Sequence, residues 1–122
     1  LRQQIRSTDR VHGVFTHAGL KPNIIPDYTA AEFYVRSATM AELAELKVRV
    51  QAALESGGMA SGCRVEVTWE GRPYTDLVSN DPLATRYCAH MADLGLPVGK
   101  IPWFGASTDM GNVSHVVASI HP

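Results

Sequence analysis

Three places along this chain carry side chains whose type and spacing suit chemistry. In the first, Val11-His12-Gly13-Val14 is followed by Pro22-Asn23-Ile24-Ile25-Pro26. Proline pins its own φ and restricts the residue before it, so two prolines around Asn-Ile-Ile predict a stiff, extended backbone. Such a segment would hold the Asn23 amide in one orientation. The second place, Gly105-Ala106-Ser107-Thr108-Asp109-Met110-Gly111-Asn112, sets small residues and hydroxyls ahead of an acidic N-cap. Backbone N–H groups exposed there suit a carboxylate or a phosphate, and loops of this kind also serve simply as caps. At the third, His121 stands between Ile120 and Pro122 at the end of an apolar run. That position offers an imidazole to a metal, although one ligand makes no site.

Several other constellations are excluded. No Gly-x-x-x-x-Gly-Lys phosphate loop, Gly-x-Gly-x-x-Gly or Gly-x-Ser-x-Gly elbow occurs. Cys63 and Cys88 lie too far apart in sequence to begin a four-ligand structural zinc site. His90 and Asp93 read as an exposed or capping pair on a helix, and His17 and His115 as strand histidines without catalytic duty. The two cysteines, each flanked by core-type residues, read as buried free thiols rather than a disulfide.

The elements that must position these residues follow from periodicity. Val11–Ala18 reads as a strand, and Ala31, Phe33 and Val35 alternate with Glu32, Tyr34 and Arg36 as a second, half-buried one. Arg36 thereby faces away from the core of the layer. Thr39 with Glu42 forms a capping box, and Leu43, Leu46, Val50, Ala53 and Leu54 keep helical spacing up to a stop at Gly57-Gly58. Cys63, Val65, Val67 and Trp69 alternate with charged and polar residues as a third strand. Leu1–Ile5 looks like the end of a helix cut from something longer. The fold class is therefore α+β, an antiparallel sheet with helices on one face. Composition changes at Gly71-Arg72-Pro73, which divides the chain at residues 70 and 71. Beyond it, Asp81-Pro82 starts a helix with Asp81 as cap, Gly95 stops it, and Val113–Ile120 reads as a short apolar strand.

Composition limits the function classes. Eleven Lys and Arg against twelve Asp and Glu give a formal charge of −1, with no basic footprint for nucleic acid. Apolar runs fall short of the roughly 18 residues a membrane span needs. Cysteine usage leans toward a reduced, cytoplasmic setting.

Taken together, His12-Gly13-Val14, Pro22-Asn23-Ile24-Ile25-Pro26 and Tyr34-Val35-Arg36 resemble the lid-domain signature of the aminoacylase and carboxypeptidase family of zinc metallopeptidases. Ser107-Thr108-Asp109-Met110-Gly111-Asn112-Val113-Ser114 and Ser119-Ile120-His121-Pro122 resemble its amidohydrolase branch, which includes aminobenzoyl-glutamate hydrolase and dipeptidase-like proteins. The resemblance spans nearly the whole chain. One departure is Ala118, which stands where that branch usually has proline.

The resemblance implies a ferredoxin-like lid layer over residues 1–70, lacking its first strand and most of its first helix. Residues 71–122 would be a partial segment of an α/β catalytic domain. It implies hydrolysis of the amide bond of an N-acyl amino acid or dipeptide-like substrate by metal-activated water. Two zinc ions are implied for the complete protein, with manganese or cobalt as alternatives, and none for this stretch alone. His121 matches a metal ligand. His12 matches the lid histidine that reaches the partner subunit's active site and supports the oxyanion. Asn23 and Arg36 match positions that hold the substrate's carboxylate, Ser107 and Thr108 match substrate contacts, and Asp109 matches a cap that supports the site. The implied partner is a second copy, bound through the lid. No adjacent Glu-Glu pair, the family's source of its general base, occurs in the chain. A non-catalytic dimerisation module derived from the lid is the alternative.

Overall fold

Alternation of side chains along Arg10–His17 and Ala30–Arg36 gives two strands, β1 and β2, which pair antiparallel. In the computed structural model, which describes residues 1–99 and 106–122, the chain divides into two units, Leu1–Trp69 and Glu70–Pro122. The first unit is α+β, a two-stranded sheet with one long helix packed against it. Register sets Val11 opposite Val35, His12 opposite Tyr34, Gly13 opposite Phe33 and Val14 opposite Glu32. An irregularity falls between Phe15 and His17. The Phe33 ring occupies the space a side chain at Gly13 would need, 2.3 Å from the position of its Cβ.

Helix α1 runs from Met40 to Ser61. Thr39 caps it as its sequence predicts, its hydroxyl accepting a hydrogen bond from the Glu42 N–H at 3.2 Å. Leu46 and Val50 are the buried apolar side chains among the described residues. Burying two such groups is worth about 1.5–3 kcal/mol each. The helix does not stop at Gly57-Gly58. It passes through them and ends at Gly62, whose φ of 69° closes the last turn with its N–H directed to the Gly58 and Met59 carbonyls. A Cβ at Gly58 would lie 1.8 Å from Val65 Cγ2, so that glycine serves close packing rather than termination.

Residues 63–70 form no ladder among the described residues, although they alternate as a strand should. A strand needs a neighbour for its N–H and C=O groups, and these residues pair with neither β1 nor β2. The segment lies instead along α1: the Trp69 Nε1–H donates to Gln51 Oε1 at 3.1 Å, and Lys47 Nζ sits 4.5 Å from the ring centre. Leu1–Ile5 is likewise a turn rather than a helix end, with the Gln4 N–H on the Leu1 carbonyl. So short a piece cannot close enough i to i−4 bonds to persist as helix.

Asp9, 3% exposed, ties the entry of β1 to the exit of β2. Its carboxylate accepts from the Arg6 N–H at 3.0 Å and from the Ser37 hydroxyl. Arg6 continues outward to Glu42 and Glu45, and its hydrogen bond to Glu45 leads the causes that raise its pKa above the ordinary arginine value.

In the second unit, α2 spans Asp81–Asp93. Asn80, not Asp81, is the cap, with its Oδ1 accepting from the Leu83 N–H at 3.1 Å. Asn80 keeps the extended backbone a cap requires, while Asp81 and Pro82 are already in the first turn. A third helix, α3, covers Met110–Ser114, so Val113–Ile120 is not a strand. After α3 the chain turns, with both Val116 and Val117 N–H groups on the Val113 carbonyl, and Ser119 alone bridges to Ser79. Cys63 and Cys88 are free but exposed, not buried: one follows the α1 cap and the other lies on α2, which buries none of its residues. No helix among the described residues is long and apolar enough to cross a membrane.

Candidate functional site

Strand alternation sorts the hairpin into two faces. Val11, Gly13 and Phe33 look toward α1, where they line a cleft with Val50, Ala53 and Leu54, to which His12 also contributes. The residues between them belong to the opposite face: Arg10, His12 and Val14 from β1, and Arg36, Tyr34 and Glu32 from β2. His12 therefore has Tyr34 directly across from it and Arg36 on the diagonal. Directly opposed Cβ atoms in such a ladder are about 4.5–5.5 Å apart and diagonal neighbours about 7–8 Å, within reach of long side chains. His12 is exposed, Tyr34 is 61% exposed, and Arg36 is half-buried. An imidazole, a phenol and a guanidinium thus share one patch, which can receive a carboxylate and donate hydrogen bonds beside it.

Asn23 is placed elsewhere. It lies in the loop between β1 and β2, exposed, in a turn closed by the Ile24 N–H on the Lys21 carbonyl at 3.2 Å. The expected extended backbone is corrected here: Pro22 takes the second turn position, which its fixed φ suits equally well, and Asn23 takes the third. Farther along, His17 packs its ring edge-on to Tyr28 at 5.7 Å, joining the two ends of this loop. Leu20 and Ile25 stand almost fully exposed in it.

In the second unit, Ser107 is exposed and Thr108 half-buried, while Gly105 lies outside the described residues. Thr108 provides the cap of α3: its Oγ1 accepts from the Met110 N–H and its carbonyl from the Gly111 N–H, each at 3.3 Å. Asp109 occupies the cap position without a side-chain capping bond. Its backbone is already helical (φ −69°, ψ −13°), which turns the carboxylate from the N–H groups an extended cap would reach. His121 is exposed, two residues beyond the Ser119 bridge. His115, at the end of α3 and not in a strand, places Nε2 2.9 Å from the Asp76 carbonyl.

Among the described residues no three His, Cys, Asp or Glu side chains gather as a metal site would require. His121, expected as a metal ligand, belongs to no such group, and the described residues by themselves do not fit a zinc pair. Tyr34 joins this patch through the pairing of the strands. Its alternation with Arg36 was visible, but its position opposite His12 depends on the register.

No family model matches the chain. It is similar over its whole length to proteins of one class, dipeptidases. The Xaa-Arg dipeptidase of Mus musculus is 36% identical over 126 residues, covering 100% of this chain and 29% of that protein. The Xaa-Arg dipeptidase of Homo sapiens is 37% identical over 125 residues, covering 99% of this chain and 29% of that protein. The chain thus spans less than a third of the length of the curated relatives it matches, and the similarity supports a peptidase relationship.

Proposed function

We propose that this chain is part of a longer hydrolase of the aminoacylase and carboxypeptidase type, which cleaves the amide bond of a dipeptide or N-acyl amino acid. The observation that carries this reading is the similarity of the whole chain to two dipeptidases. Both are named for dipeptides ending in arginine, and we take that as the substrate class. The shared face of His12 and Arg36 supports it chemically. Arg36 holds the substrate's free carboxylate in a charge-assisted, fork-like contact, aided by the Asn23 amide from the loop. His12 donates a hydrogen bond to the oxygen that gains charge as the amide carbonyl is attacked. Ser107 and Thr108 contact the substrate from the second unit, with Asp109 supporting that loop.

The hairpin and α1 form the lid and pair with a second copy, so that His12 and Arg36 of one subunit serve the partner's site. Zinc ions in the longer protein would supply an activated water; His121 would be one ligand, and the others would come from outside this chain.

Hydrolysis of Ala-Arg and of its C-terminal amide by the complete protein tests the reading. Losing a charged hydrogen-bond partner is worth about 1.5–3 kcal/mol, so kcat/KM falls about 10- to 150-fold on the amide. Equal cleavage of the two, or of neither, refutes it.

A further inference from the structure

We propose that Tyr34 is a specificity-determining residue that receives the cationic side chain of the substrate's C-terminal residue on its ring. The proposal rests on the dipeptidase reading above and deepens it. Three side chains follow one another along the α1-averted face of β2: Glu32, Tyr34 and Arg36. At about 3.4 Å per residue, each step along that face is about 7 Å. The row therefore reads acidic, aromatic, basic.

A dipeptide ending in arginine has two charged groups near that end, a carboxylate and a guanidinium, of opposite sign. With its carboxylate on Arg36, a side chain laid along β2 passes over the Tyr34 ring toward Glu32. Laid the other way it would leave both. The face of a tyrosine ring attracts a cation within about 6 Å of its centre, and Glu32 favours positive charge at the same end. Tyr34 is 61% exposed in the middle of its strand, so its ring is open to a ligand. Alternation puts Val11, Gly13 and Phe33, not Tyr34, on the side of the hairpin turned to α1. A structural role would be that of a cross-strand partner for His12, and such a pair affects stability rather than substrate choice.

The test compares Ala-Arg with Ala-citrulline, whose side chain has nearly the same shape without the charge, in the complete protein. Tyr34→Ala lowers the ratio of kcat/KM for the two substrates about three- to thirtyfold, the range of a cation–ring contact from exposed to desolvated. Tyr34→Phe keeps the ring and leaves the ratio within about twofold of wild type. Circular dichroism spectra matching wild type show that each variant is folded. An unchanged ratio in Tyr34→Ala, or an equal loss of the preference in Tyr34→Phe, overturns the proposal. Equal use of both substrates by the wild type overturns it and leaves the dipeptidase reading standing. Cleavage of neither removes both.

Discussion

A methyl group added at Gly111 would lie 1.9 Å from the Thr75 carbonyl oxygen and 2.8 Å from its carbon. Ordinary contact begins near 3.4 Å, and the obstructing atoms are backbone, so α3 must move away from residues 73–78. Three hydrogen bonds hold it there. The Asn112 side chain accepts from the Thr75 N–H at 3.4 Å and donates to the Pro73 carbonyl at 3.1 Å, and Ser114 Oγ accepts from the Val78 N–H at 2.9 Å. At about 1 kcal/mol each, losing all three costs about 3 kcal/mol, offset by less than about 1 kcal/mol from replacing a helical glycine with alanine. Gly111→Ala should therefore destabilise the second unit by about 2 kcal/mol. Gly57→Ala is the control: it also adds a methyl to a helix, but nothing lies within 4 Å of it. It should stabilise by about 0.5–1 kcal/mol. Urea unfolding of the three proteins, followed by circular dichroism, measures both. A Gly111→Ala protein as stable as wild type would refute the packing described for α3.

Asp9→Ala leaves the Arg6 N–H and the Ser37 hydroxyl without their buried acceptor, and should lower the urea midpoint by an amount equivalent to about 1–3 kcal/mol. Arg6→Ala, which removes the pairs to Glu42 and Glu45 and takes the guanidinium 4.0 Å from the buried Asp9 carboxylate away, should cost more than the roughly 1 kcal/mol of an exposed pair by the same measurement. The isolated chain, with His121 as its single proposed ligand, should retain well under one equivalent of zinc after dialysis, read by elemental analysis. In the complete protein, subunits inactivated by His12→Ala and subunits inactivated by His121→Ala should regain measurable activity when exchanged. Each mixed dimer then has one site in which the lid of one subunit and the catalytic segment of the other are both intact; continued inactivity despite proven exchange places His12 within its own subunit.

The elements legible in the sequence are those with local causes. The two strands β1 and β2 and the Thr39 cap act within a few residues, and the structure has each of them, although Glu42 turns its carboxylate to Arg6 instead of completing the capping box. Gly57-Gly58 misled because a pair of glycines stops a helix unless something needs the space, and Val65, seven residues beyond Gly58, needs it. Residues 63–70 carry the alternation of a strand, yet pairing is a property of the neighbour. Val113 joined a helix because Gly111 and Ser114 can nest against the backbone of residues 73–78, a contact no local pattern reveals. The candidate site divides in the same way. His12, Asn23 and Arg36 stand out by type and motif, whereas the patch of His12, Tyr34 and Arg36 depends on which residue of β2 faces which residue of β1.

The central claim is that the exposed hairpin face takes part in amide hydrolysis, and steady-state kinetics of the complete protein on Ala-Arg tests it most directly. His12→Ala should lower kcat about 10²- to 10³-fold, the usual consequence of losing one donor to a developing oxyanion. Arg36→Ala should lower kcat/KM about 10- to 150-fold through the carboxylate contact. Both proteins should keep the wild-type circular dichroism spectrum and metal content. Wild-type kinetics in both variants would contradict the claim.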